Sequence, residues 1–157
     1  MSYKLLLPNK YKKAGWMILI PSLVIGILKI IMDFEPVWLN GKVLSIFPSG
    51  FNRQRYFNIV SVNLTNTIIG VFFILGALLV GFTKEKNEDE FIAGIRLSSL
   101  LWAVFVNYAL LLVAFIFIYD TAFLDVMMYN MFTVLLIFIV RFNYVLYKNS
   151  KAIPDEK

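Results

Sequence analysis

The 157-residue chain contains no cysteine and no histidine. Those two absences exclude disulfides, thiolate nucleophiles, Cys/His zinc sites, cysteine-held iron–sulfur clusters, His-ligated haem and an imidazole general base. Charge is also scarce, at 16% of residues. No Asp or Glu falls in the middle of a long apolar block, so proton-coupled transport loses its usual carrier. The net charge of +5 is not gathered into a patch. Basic residues stand at the ends of apolar runs, which the positive-inside rule explains better than nucleic-acid binding does. No internal repeat relates the two halves, and no segment is of low complexity.

What the chain does have is oil-loving sequence in long blocks, 60% hydrophobic overall. A soluble domain of this size would spread such residues at helical or strand spacing around a polar surface. The reading is a single integral membrane domain over residues 1–157, an all-α four-transmembrane-helix bundle. Spans are expected at residues 14–32, 57–82, 98–119 and 122–141, with a β-hairpin-like outer loop at 33–56. A helix extension at 87–97 is expected in the cytoplasm.

The first span follows a basic lead of Lys4, Lys10, Lys12 and Lys13. It is long and has no small-x-small cleavage site, so it reads as a retained helix rather than a signal peptide. Pro21 removes one backbone donor inside it and is expected to bend it, with Ser22 beside it to re-satisfy a freed group. In the outer loop, Asn40-Gly41 between two short apolar runs is the strongest local signal for a two-residue hairpin turn. The second span is polar in its early half, and Asn63, Asn66, Thr67, Gly70, Ala77 and Gly81 recur at three- and four-residue steps. Small and polar residues on one face are what close packing in lipid needs.

The third span has the clearest start. Asn87 and Glu90 fit a capping box, and Glu88, Asp89 and Glu90 fill a first turn where the helix dipole favours negative charge. Ser99, Ala103, Asn107 and Ala114 form its small and polar face. Asp120 is the expected N-cap of the fourth span, with Asp125 in its first turn. Asn130, Thr133 and Arg141 share a face of that span, Phe142, Tyr144 and Tyr147 form an exit belt, and Lys148 and Lys151 open a loose tail to Lys157.

Counting Lys and Arg by side, excluding Lys29 and Arg141, gives ten against three. That bias places both termini in the cytoplasm and the hairpin outside.

Four groups of residues are candidates for function. Asn63, Asn66, Asn107, Asn130 and Thr133 form an expected intramembrane polar network, either fixing helix register or lining a polar cavity. Lys29, Arg96, Arg141, Trp16 and Trp102 are expected at lipid headgroups or the membrane interface, where long cations snorkel and indoles settle. Asp33, Glu35, Asp120 and Asp125 gather on the outer side and could bind a divalent cation or act as an acid/base pair, although no ligand-loop spacing matches. Glu88, Asp89, Glu90 and Arg96 make a possible docking face for a cytoplasmic partner.

The runs KEKNEDEFIAGIRLSSLLWAVFVNYALLL and YNMFTVLLIFIVRFNYVLYKN resemble those of a group of small four-span membrane proteins from Bacteroidetes-type bacteria. The resemblance implies a bacterial inner membrane. That group has no assigned reaction or ligand, so no site residue carries over. The sequence therefore points to a non-enzymatic accessory, sensory or scaffold protein without a cofactor. Its partners would be membrane lipids and other membrane proteins or further copies of itself. A subunit of a small oligomeric channel, transporter or permeabilising effector is the first alternative, and a lipid-modifying enzyme using the outer carboxylates is the second.

Overall fold

The computed structural model describes residues 6–32, 36, 39–45, 57–86 and 88–152. Their elements run α1 Lys10–Met32, β1 Asn40–Ser45, β2 Asn58–Asn63, α2 Thr65–Gly81, α3 Glu90–Phe117 and α4 Asp120–Ala152. Three of the four helices, α1, α3 and α4, are long and apolar enough to cross a membrane. The fourth, α2, has 17 residues, about 26 Å at helical rise, slightly less than a hydrocarbon core of about 30 Å.

The chain divides into two compact units, Ile20–Phe72 and the rest. The division falls in α1 just before Pro21, a residue with no backbone donor. α1 nevertheless runs through Pro21 as one helix.

In the larger unit, α3 and α4 form an antiparallel pair joined only by Ile118 and Tyr119. Asp120 opens α4 with φ 58. It is therefore not a conventional cap but a tight reversal in the left-handed region, which Asp tolerates better than most residues. α3 buries Ala93, Ile95, Arg96, Ser99, Ala103 and Asn107, one face at three- and four-residue steps. Opposite, α4 buries Phe138, Ile139 and Phe142. A T-shaped ring pair, Phe115 with Phe123, adds a contact between the same helices, and another, Phe73 with Phe132, joins α2 to α4.

The second half of α2 enters this core through small residues. A Cβ added at Gly81 would stand 2.6 Å from Phe138 Cε1, and one at Gly76 would stand 2.7 Å from the Leu19 backbone nitrogen. Both positions need glycine because another helix occupies the space of a side chain. Outward-facing positions such as Met17, Leu101, Phe105, Phe117 and Val140 are exposed, as lipid-facing residues are when no bilayer surrounds them.

In the smaller unit, β1 and β2 pair antiparallel from Asn40↔Asn63 to Ser45↔Asn58. Two expectations are corrected here. Asn40 and Gly41 are not a turn but the start of a strand, and the helix expected from residue 57 begins only at Thr65. The cause is visible in NIVSVN, where β-branched Ile59, Val60 and Val62 favour a pleated strand. A strand partner at 40–45 then decides in favour of the ribbon. Asn63 ends it and starts the helix: its Oδ1 accepts from the Thr65 backbone N–H at 3.0 Å, and its Nδ2 donates to the Pro36 carbonyl at 3.2 Å.

At the other end of α2 a further correction applies. The N-cap of α3 is Asp89, whose carboxylate accepts from the Ile92 N–H at 2.8 Å. Asn87, the expected cap, lies outside the described residues. Nor is the stretch from Lys148 to Ala152 a loose tail, because α4 continues through Lys148 and Lys151 to Ala152. Lys157 is outside the described residues.

Candidate functional site

Where α2 gives way to α3, the described residues 83–86 and Glu88 lie outside both helices. Irregular backbone near a membrane is tolerated only where protein or water satisfies its polar groups. Here the protein does so. The Leu7 N–H donates to the Phe82 carbonyl at 3.0 Å and the Lys84 N–H donates to the Leu7 carbonyl at 2.9 Å. The Asn9 amide donates to the Lys84 carbonyl at 2.8 Å. The segment before α1 is thereby latched to the α2–α3 connection, and a Lys12–Glu85 ion pair ties the first turn of α1 to the same connection.

Arg96 is the centre of this knot. It sits six residues inside α3, only 7% exposed. Nη1 and Nη2 donate to the two carboxylate oxygens of Glu88 at 2.8 and 3.1 Å, and Nη2 also donates to the Thr83 carbonyl at 3.1 Å. The guanidinium lies 5.0 Å from the centre of the Phe142 ring. Glu88 in turn accepts from the Glu85 backbone N–H at 2.7 Å. A bidentate fork of this kind fixes geometry as well as charge. Its effect is to hold a non-helical loop rigidly against α3 and α4 with the charges neutralised.

Arg96 is thus enclosed by protein groups, and the expected docking face is divided. Glu88 and Arg96 turn inward, Asp89 caps the helix, and Glu90 is exposed. Thr83 and the Lys12–Glu85 pairing were not singled out from sequence, and Phe142 was expected only in an aromatic exit belt. Glu88 and Arg96 lie eight residues apart, a little over two turns, which was a usable hint; the Leu7 latch has no local signal.

A second polar contact crosses α3 and α4. Asn107 and Asn130 exchange amide hydrogen bonds at 3.1 and 3.2 Å, with Asn107 2% exposed. In the smaller unit, Asn66 accepts from Lys29. Asn63 serves the start of α2, and the Thr133 hydroxyl donates to the Tyr129 carbonyl of its own helix at 3.0 Å. Of the expected network, Asn107 and Asn130 are thus paired across α3 and α4.

Trp16 is half-buried on α1. Arg141 stacks on Trp102, 4.2 Å from the ring centre. Asp120 and Asp125 are exposed on α4, whereas Asp33 and Glu35 lie outside the described residues. Among the described residues, no cluster of three or more carboxylates could hold a metal ion.

Comparison with protein-family models, curated proteins and solved structures finds no match.

Proposed function

We propose that the protein is an accessory or scaffold component of a bacterial inner membrane, crossing it four times with both termini in the cytoplasm and working through contacts with another membrane protein. The observation that carries this reading is how two of the buried polar groups on α3, Arg96 and Asn107, are used. Arg96 is occupied by Glu88 and Asn107 by Asn130, so these residues serve to hold helices and a loop in register. An additional feature supports a binding role. Counted from Asp120, about 30 Å of hydrocarbon is used up near residue 140. The remaining turns of α4 form a continuous helix carrying exposed Tyr144 and Tyr147.

On this reading α2 crosses with a small mismatch, met by local thinning of the bilayer and by the satisfied backbone at Phe82–Lys84. Extraction into nanodiscs directly from the native membrane, followed by mass spectrometry, tests the function. The expected result is a second membrane protein at fixed stoichiometry. Recovery of the chain alone, combined with ion flux through proteoliposomes containing only this protein, would overturn the reading in favour of a pore.

A further inference from the structure

Arg141 is held in an unusual way. It lies 21 residues into α4, about 31 Å from Asp120 at helical rise, which is one hydrocarbon thickness. At such a depth a long cation ordinarily snorkels toward water. Arg141 instead lies over Trp102. The Asn107–Asn130 and Arg96–Phe142 contacts set the register of the two helices and place Arg141 level with about residue 97 of α3. Trp102 belongs about five positions, roughly 7 Å, farther toward the bilayer centre. The guanidinium therefore leans toward the hydrocarbon.

An indole face offsets positive charge, but it leaves the N–H groups of a guanidinium without strong acceptors. No carboxylate pairs with Arg141 among the described residues; its Nε, like that of Arg96, is buried without a hydrogen-bond partner. The contrast with Arg96 is direct, since there Glu88 supplies both oxygens. Both Arg141 and Trp102 keep an open side, Trp102 being 44% exposed. Ser98, one turn before Trp102, is exposed, as is Lys148, two turns after Arg141. Exposed Leu101, Phe105 and Val140 give an apolar wall along which an acyl chain can lie.

We propose that Arg141, seated on Trp102, is a binding site for a phosphate group, supplied by the headgroup of an anionic phospholipid. The guanidinium fork matches two phosphate oxygens. The indole fixes its plane, and the apolar wall distinguishes a lipid from a free anion. The inference rests on the membrane-embedded helices and is independent of the partner proposed above.

Native mass spectrometry on the delipidated full-length protein tests it, with phosphatidylglycerol, phosphatidylcholine and inorganic phosphate titrated separately. Phosphatidylglycerol is expected to bind in preference to phosphatidylcholine. Arg141→Gln is expected to weaken that binding about tenfold, the scale of one charge-assisted hydrogen bond. Arg141→Lys keeps the charge and loses the fork, and falls between the two. Trp102 fluorescence in a Trp16→Phe/Trp38→Phe background reports occupancy independently and confirms that each variant is folded. A response to inorganic phosphate equal to that with phosphatidylglycerol would overturn the lipid source. Equal affinity for the two lipids, or unchanged affinity in a folded Arg141→Gln protein, would overturn the site.

Discussion

Arg96 and Arg141 stand on neighbouring helices at the same end of the α3–α4 pair, and the fold treats them oppositely. Arg96 is enclosed, with Glu88, the Thr83 carbonyl and the Phe142 ring around it. Arg141 has an aromatic seat, no carboxylate among the described residues, and an open side. A cation whose partner belongs to the chain can be used to organise the chain. One whose counter-ion is not supplied by the fold is available to bind something else. The difference is therefore between a structural charge and a recognition charge, even though both began as arginines near the end of an apolar run.

The largest break in that comparison comes from Glu88→Ala. It leaves Arg96 buried and unpaired, and is expected to cost about 3–5 kcal/mol of stability in reversible unfolding from bicelles. Replacing both partners by apolar residues of similar volume, Glu88→Leu with Arg96→Met, is expected to recover most of that loss. If the double variant were as unstable as Glu88→Ala, the loop would be held mainly by its packing rather than by its charge pairing. Gly81→Leu drives a side chain into Phe138 and is expected to cost about 1–3 kcal/mol by the same assay.

Smaller effects sharpen the contrast from the neutral side. Asn107→Ala removes a hydrogen-bonded amide pair, and interactions of this type in membranes average about 0.6 kcal/mol and reach about 1.7. Arg141→Gln is expected to change unfolding stability by no more than about 0.5 kcal/mol, as substitutions away from buried networks do. A loss comparable to that of Glu88→Ala would make Arg141 a structural charge as well.

How much of this could be read from residue order depends on the distance over which the deciding contact acts. α3 and α4 are legible because their apolar stretches exceed a bilayer thickness, and the buried side of α3 is marked by Ser99, Ala103 and Asn107 at regular steps. β2 is not legible in that way. Only Leu64 separates NIVSVN from α2, and hydropathy alone accepts either helix or strand. The decision comes from pairing with residues 40–45 and from Asn63, which closes one element and opens the next. The polar knot is harder still. Asn9 and Lys84 are separated by 75 positions, so no local window contains both. The spacing of Glu88 and Arg96 hints at their pairing, but nothing local shows that the connection at Thr83 comes back to meet the same guanidinium.

The central claim is that α2, at 17 residues, crosses the membrane and delivers the knot around Arg96 to the cytoplasmic side. The absence of native cysteine makes a direct measurement available, namely labelling of single cysteines at Lys42 and Lys86 with a membrane-impermeant maleimide in intact and permeabilised cells. Lys42→Cys is expected to react in intact cells, and Lys86→Cys only after permeabilisation. Labelling of both positions from the same side would contradict the claim.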